Sequence, residues 1–280
     1  MFDADNWYAV AGARSLRASE VTPATVGGVE AAVWRDSQGG LKAYSNFCIH
    51  RGMRLSHGYV KDDHLVCRYH GWRYHKEGEC DYIPALPETK PAAAHCLKQY
   101  KVGEAAGLVW LCVGEPEQGF EVLRESTADF GSTDYCRSVF IDLPPEQVLT
   151  QIRGALFMSP QEAEGENVKA SAPKEVGLIE DAGQRQRYSC VWSVGDEVVE
   201  AEYVSRILAP GLVTLHSNMD DMGLILACQP ISDNRTGIHL SLESSSISPI
   251  QRLHFARWAT ELRWCLEREA DVGSLLMAQA

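Results

Sequence analysis

Between His95 and His216 the sequence contains no histidine. Chemistry that needs imidazole must therefore be drawn from the two ends of the chain. Positive charge is also scarce: 26 Lys and Arg stand against 38 Asp and Glu, a formal net charge of −12. That balance argues against nucleic acid or an anionic membrane surface as a partner. It is compatible with a basic redox partner, and equally with plain solubility. No apolar run approaches the ~20 residues needed to cross a bilayer. The opening residues Met1–Trp7 lack the basic and apolar regions of a signal peptide, so a cytoplasmic protein is expected. A disulfide framework is missing too. Nine cysteines, an odd number at irregular spacing, suit a reducing compartment. Those outside the motifs described next (Cys80, Cys96, Cys112, Cys136, Cys190, Cys228, Cys265) read as small buried hydrophobes. Internal repeats and low-complexity segments are absent as well.

What is present is a chain of 280 residues, long enough for two domains. From Trp7 to about Gly114 it consists of short apolar runs broken by turn signals. Val29–Trp34 is followed by Asp36-Ser37-Gln38-Gly39-Gly40, a hairpin break, and Leu108–Val113 reads as a buried strand. This predicts a small all-β domain over residues 1–118. Glu115–Ser132 is polar and marks the boundary, leaving residues 119–280 as a second domain. In it Pro144-Pro145-Glu146 starts a helix running weakly periodic to Met158, and Gln161–Ala172 reads as a polar loop. Strand-length segments follow at Tyr188–Trp192, Val198–Ile207, Leu212–Ser217, Leu224–Cys228 and Ile238–Leu242, as in an antiparallel meander. Phe255, Trp258, Ala259, Leu262, Cys265 and Leu266 form the apolar stripe of a closing helix. The predicted class is α+β.

Two motifs lie in the first part: Cys48-Ile49-His50 and Cys67-Arg68-Tyr69-His70-Gly71-Trp72. Each supplies one thiolate and one imidazole. Two Cys and two His make the ligand set of a Rieske [2Fe–2S] cluster, which exchanges single electrons at roughly −150 to +300 mV. Zinc is the alternative for four Cys/His ligands. Structural zinc sites take a close pair of one residue type from each loop, whereas here each loop gives one of each. Gly52 and Gly71 let the backbone come close to inorganic sulfide. Cys48, His50, Cys67 and His70 are the expected cluster ligands. His57, His64, His75 and His95 are expected at the surface.

Residues 40–118 resemble the Rieske domain of oxygenase α subunits, of the vanillate-demethylase and phthalate-oxygenase type. The text that carries the resemblance is Asn46 to Gly52, Cys67 to Tyr74, Gly78-Glu79-Cys80, Ile83 to Pro87 and Gly107 to Trp110. Met53 and Tyr69 stand where the respiratory type has an additional cysteine pair. The resemblance implies a Rieske domain followed by a helix-grip (START-like) domain with a long C-terminal helix. It also implies a trimer-based ring in which an exposed cluster histidine, His50 or His70, faces the mononuclear iron of a neighbouring subunit.

The second half resembles the family's catalytic domain more weakly, at Ala209 to Val213 and at Glu269-Ala270-Asp271 with Met277-Ala278-Gln279. The family's non-haem iron takes two His and one carboxylate. Laid on that pattern, Phe157 falls where a linking Asp belongs, Pro160 at the first His and Gly165 at the second; Asp271 is a possible remnant of the carboxylate or a solvated helix-end residue. The expectation is one [2Fe–2S] cluster and no mononuclear Fe(II). The chain would be an oxygenase component that takes electrons from a reductase or ferredoxin and passes them to an intact α-type subunit. One alternative is a self-contained mono- or dioxygenase using His216, His239, His254 and Asp271, acting by aromatic hydroxylation or oxidative demethylation. Another is a redox-sensing or ligand-binding protein.

Overall fold

The structure is a computed structural model that describes residues 2–130, 132–155, 157, 168–170, 174–179, 185–194, 197–218, 223–243 and 247–269. Ten strands precede the first helix: β1 (Tyr8–Gly12), β2 (Val21–Val26), β3 (Val29–Arg35), β4 (Leu41–Ser45), β5 (Tyr59–Lys61), β6 (His64–Val66), β7 (Arg73–Tyr74), β8 (Cys80–Tyr82), β9 (Lys101–Ala105) and β10 (Leu108–Cys112). They form three antiparallel sheets, ordered β1-β10-β9, β2-β3-β4 and β5-β6-β7-β8. The hairpin expected at Asp36–Gly40 joins β3 to β4, with Asp36 Oδ1 accepting from the amides of Gln38 and Gly40.

The segment read as a polar boundary is partly ordered against the core. It holds α1 (Phe120–Ser126) and a 3-10 turn (Ala128–Phe130), because Leu123 and Phe130 are apolar enough to be buried beside Trp110 and Ile225. Then come β11 (Thr133–Ile141), which the sequence reading did not single out, and α2 (Pro145–Ile152). Helix α2 starts where the proline pair predicts and stops at Ile152 rather than Met158. Arg153-Gly154 turns the chain there, glycine being a poor helix former, and Phe157 enters the core.

The remaining strands are β12 (Val168–Ala170), β13 (Lys174–Ile179), β14 (Arg185–Val194), β15 (Glu197–Ala209), β16 (Leu212–Ser217), β17 (Gly223–Ser232) and β18 (Arg235–Glu243). They pair in the order β11-β18-β17-β16-β15-β14-β12, with β13 also on β14, giving an eight-stranded sheet. The polar stretch read as a loop thus contributes Val168–Ala170 as a strand; its other residues, 161–167 and 171–172, lie outside the described residues. The chain continues into α3 (Pro249–Glu267), whose Ser248–Gln251 pair forms a reciprocal capping box.

Both faces of the large sheet are covered. Val213, Leu215, Leu224, Leu226, Leu240 and Leu242 meet α2 and the expected stripe of α3. On the other face Leu212, Ile225 and Ala227 meet Ala9, Leu108 and Trp110 of the amino-terminal sheets. Double coverage explains why β17 is buried over its first eight residues and reads as a continuous apolar run. The two parts are also fastened by backbone. Gly27 and Gly28, in the β2–β3 turn at φ +55° and +80°, donate to the carbonyls of Pro230 and Ile231 at 2.7 and 2.9 Å.

Candidate metal centre

Strand β4 delivers the chain into the first motif and β6 into the second. The two loops repeat one backbone pattern. The Cys48 amide donates to Met53 O at 2.9 Å, and the Gly52 amide returns to Cys48 O at 2.8 Å. The Cys67 amide donates to Trp72 O at 2.9 Å, and Gly71 returns to Cys67 O at 3.0 Å. Each turn needs a left-handed residue at the glycine, with φ of +67° at Gly52 and +70° at Gly71. At Gly71 even a methyl would come within 3.0 Å of the Pro84 ring.

Buried Asn46 ties the first loop down. Its side chain donates to Glu30 Oε2 and accepts from the Ser56 amide at 2.8 Å. Glu30 also takes both arms of Arg54 at 2.7 Å, and this guanidinium holds its carboxyl below the usual range. Sequence reasoning missed Glu30. It is distant in the chain, and only the β3–β4 pairing brings it to the loop.

The four motif residues meet as two pairs. The thiols of Cys48 and Cys67 are buried, 3% and 2% exposed, and close enough to share a proton. That contact pulls Cys48 down to about 5 and pushes Cys67 up. Amides of His50 and Arg51 point at the Cys48 sulfur, and those of Tyr69 and His70 at the Cys67 sulfur. The Tyr74 hydroxyl lies 3.0 Å from Cys48 Sγ. Nearer the surface the half-buried imidazoles of His50 and His70 stand 4.7 Å apart, centroid to centroid. Trp72 stacks on His50 at 4.7 Å and 7°, and Tyr69 on His70 at 3.8 Å. Sulfur inside and nitrogen outside is the donor order of a two-iron cluster, one iron on two thiolates and the other on two imidazoles. The residues fit that group. Among the described residues no three or more His, Cys, Asp or Glu gather as they would around a single ion.

The neighbouring histidines stand apart from the pair. His57 is exposed; His64 binds Asp81 Oδ2 at 2.6 Å; His75 meets the edge of His64; His95 packs on Trp72 at 5.3 Å. These last three are half-buried rather than at the surface. Among the other cysteines, Cys96 is exposed rather than buried, its backbone pairing with Glu79 in an isolated bridge outside the sheets. Cys136 and Cys265 are half-buried, and the remaining four are buried.

In the second half Phe157 is buried and packs edge-on against Tyr203 and Phe255, with ring centroids 5.7 and 6.1 Å away. The Tyr203 hydroxyl donates to Phe157 O at 2.8 Å. The three late histidines are not brought together. His216 on β16 faces Glu243 at 3.7 Å across Gly223, and burial lowers its basicity. His239 on β18 is fully buried between Ser138 and Gln229. His254 lies on α3 beside Phe255. Pro160, Gly165, Asp271 and Met277-Ala278-Gln279 lie outside the described residues.

A pair of cysteine–histidine loops on a small β unit, with two thiols inside and two imidazoles outside, has the donor set of a Rieske-type centre. Residues 6–101 match the family model of the Rieske [2Fe-2S] domain. Over 153 residues the chain is 32% identical to the oxidoreductase NdmD of Pseudomonas putida, covering 54% of this chain and 26% of that protein. It is 37% identical over 84 residues to the vanillate O-demethylase oxygenase subunit of Pseudomonas sp. strain HR199, covering 30% of this chain and 23% of the relative. The match thus spans about a quarter of each of these relatives. The crystal structure of dicamba monooxygenase bound to 3,6-dichlorosalicylic acid shares the fold over 99% of this chain and 91% of its own, with a TM-score of 0.71 and 17% identity. Residues 6–101 thus match a Rieske [2Fe–2S] domain, and the chain has the fold of dicamba monooxygenase. Among the described residues no helix is long and apolar enough to cross a membrane.

Proposed function

We propose that this chain is the electron-carrying component of a Rieske-type oxygenase and has lost its own oxygen-activating iron. Residues 1–118 form the electron-carrying unit, with Cys48 and Cys67 on one iron and His50 and His70 on the other. Residues 119–280 form a unit that serves assembly. A reductase or ferredoxin supplies electrons, and an intact α-type subunit in a trimer-based ring receives them at its mononuclear iron. The setting is cytoplasmic.

The observation that carries the reading is Phe157. Where the family resemblance asks for a metal-linking carboxylate, an apolar ring fills the space between sheet and helix, wedged against Tyr203 and Phe255. The separation of His216, His239 and His254 supports it, since a facial triad needs its ligands on one face.

The test is the ratio of iron to acid-labile sulfide in protein purified without oxygen. The expected result is equal iron and sulfide, with Cys48→Ser losing both. Half as much iron again as sulfide would reveal a mononuclear site and overturn the reading. So would oxygenase activity of the purified chain with only a reductase.

A further inference from the structure

One face of the large sheet carries charge that the fold does not neutralise. Elsewhere in this acidic chain arginines hold carboxylates, as Arg35 holds Glu104, Arg54 holds Glu30 and Arg252 holds Asp134. Arg185 and Arg187 on β14 and Arg206 on β15 differ: among the described residues none of the three has an ion-pair partner. The register sets Arg185 directly opposite Arg206. Arg187, two residues on from Arg185, lies on the same face opposite Val204. Like charges directly opposite one another destabilise a strand pair. Three cations gathered in this way call for a counter-ion that the chain itself does not supply.

The hydrogen-bond donors point the same way. Arg185 and Arg187 are half-buried, and their Nε atoms are out of solvent with no acceptor, while Arg206 is exposed. Next in the row stands Thr214 on β16, opposite Arg206, fully buried and with its hydroxyl unpartnered. Donors taken from water without an acceptor are costly, and native folds rarely leave them so. Other groups on this face do not answer them. His216 shares the face two residues beyond Thr214 and lies near Arg206, but it faces Glu243 at 3.7 Å. Glu202 precedes Val204 by two residues on β15 and makes no ion pair among the described residues. On the far side of β14 the register puts Gly177, which has no side chain, opposite Arg187.

We propose that Arg185, Arg187 and Arg206 form a binding site for a phosphate-type oxyanion, beside the Thr214 hydroxyl. A guanidinium presents a planar fork of donors that matches such an anion. A carboxylate offers two oxygens and one charge, too few for three forks. A phosphate group offers three or more oxygens and nearly two charges. The occupant is inorganic phosphate or the phosphate end of a small metabolite. The site lies on strands outside the cysteine–histidine loops, so it stands or falls independently of what those loops hold.

The probes are inorganic phosphate and ribose 5-phosphate, titrated calorimetrically into the full chain in a phosphate-free buffer of low salt. The melting temperature is followed in parallel. Binding is expected, with a rise in melting temperature. Tighter binding of ribose 5-phosphate assigns the site to a metabolite, and equal binding assigns it to phosphate itself. Arg185→Gln and Arg206→Gln are each expected to weaken binding about tenfold. Arg17→Gln, which removes an exposed charge of the amino-terminal part, should leave it unchanged. Without phosphate the Arg185 and Arg206 variants should melt no lower than the parent, because each relieves an opposed pair of like charges. Arginines that only support the fold would give the opposite result. The proposal is overturned if neither probe binds at millimolar concentration, if sodium acetate at equal ionic strength protects as well, or if both variants bind like the parent. It is also overturned if both variants melt below the parent without phosphate. A change of oligomeric state in the variants overturns it too, for then an acidic surface of another copy is the counter-charge.

Discussion

At the scale of single residues, the Tyr74 hydroxyl is the most telling polar contact of the site. It lies 3.0 Å from the buried sulfur of Cys48. With Cys48 as the proposed ligand, a hydrogen bond to its sulfur favours the reduced, more negative cluster. Tyr74→Phe removes one such bond, worth roughly 1 kcal/mol, so the midpoint potential should fall by some tens of millivolts. Voltammetry of the two proteins decides it, and equal potentials would mean that the phenol does not donate to the sulfur. The motif residues themselves were legible because cluster chemistry demands particular side chains in a short stretch. Their supports were legible only in part. Tyr74 lies two residues past the second motif, but Asn46 and Glu30 act through contacts that carry no local pattern. Asn46 binds residues on either side of its own loop, and Glu30 reaches it from a separate strand.

At the scale of elements, close approach replaces side-chain chemistry. Strand β1 crosses the large sheet where Gly12 lies flat under the ring of Tyr135 on β11. A methyl group there would fall 2.3 Å from the ring carbons. Gly12→Ala must push Tyr135 aside, and overpacking of that kind costs about 1–3 kcal/mol. Urea unfolding should show the loss, with the absorption spectrum of the loaded cluster unchanged because the loops are distant. A stability equal to the parent would show that the ring moves freely. The strands of the meander were legible from alternating and continuous apolar runs. Strand β11 was not, since Thr133–Ile141 is mostly half-exposed along one side of the sheet. Helix α2 was legible at its proline start, but its end was set by Gly154 and by the burial of Phe157.

At the scale of the whole molecule, one buried chain of hydrogen bonds joins the large sheet to the amino-terminal part. Gln229 Nε2 donates to Thr25 O at 2.7 Å, so Gln229 Oε1 accepts from His239 Nε2 at 2.8 Å. Burial pushes the basicity of His239 down to about 4, so the ring is neutral near pH 7. With its proton on Nε2, Nδ1 accepts from Ser138 Oγ at 2.7 Å, and Ser138 accepts from Tyr135 at 2.9 Å. An unfolded chain has the ordinary histidine value near 6.5. As pH falls from 6.5 towards 4 the unfolded chain therefore takes up a proton that the folded one refuses. Stability contributed above 6.5 is lost through that window, by roughly 3 kcal/mol in all. Denaturant unfolding at neutral pH and near pH 5 should show a steeper fall in the parent than in His239→Asn. Identical slopes would mean that His239 is already charged in the fold.

The sequence by itself determined the class of the protein. The two motifs bring two thiols and two imidazoles together in short stretches, and the apolar periods name strands and a closing helix. These features are local, and local patterns survive in one dimension. Tertiary structure alone decided the rest: the pairing of thiols inside and imidazoles outside, the reach of Glu30 to the first loop, and the separation of His216, His239 and His254. Each depends on which distant strands and loops come together. Net charge and residue counts are sums over the chain, while contacts act over a few ångströms and fields over roughly ten.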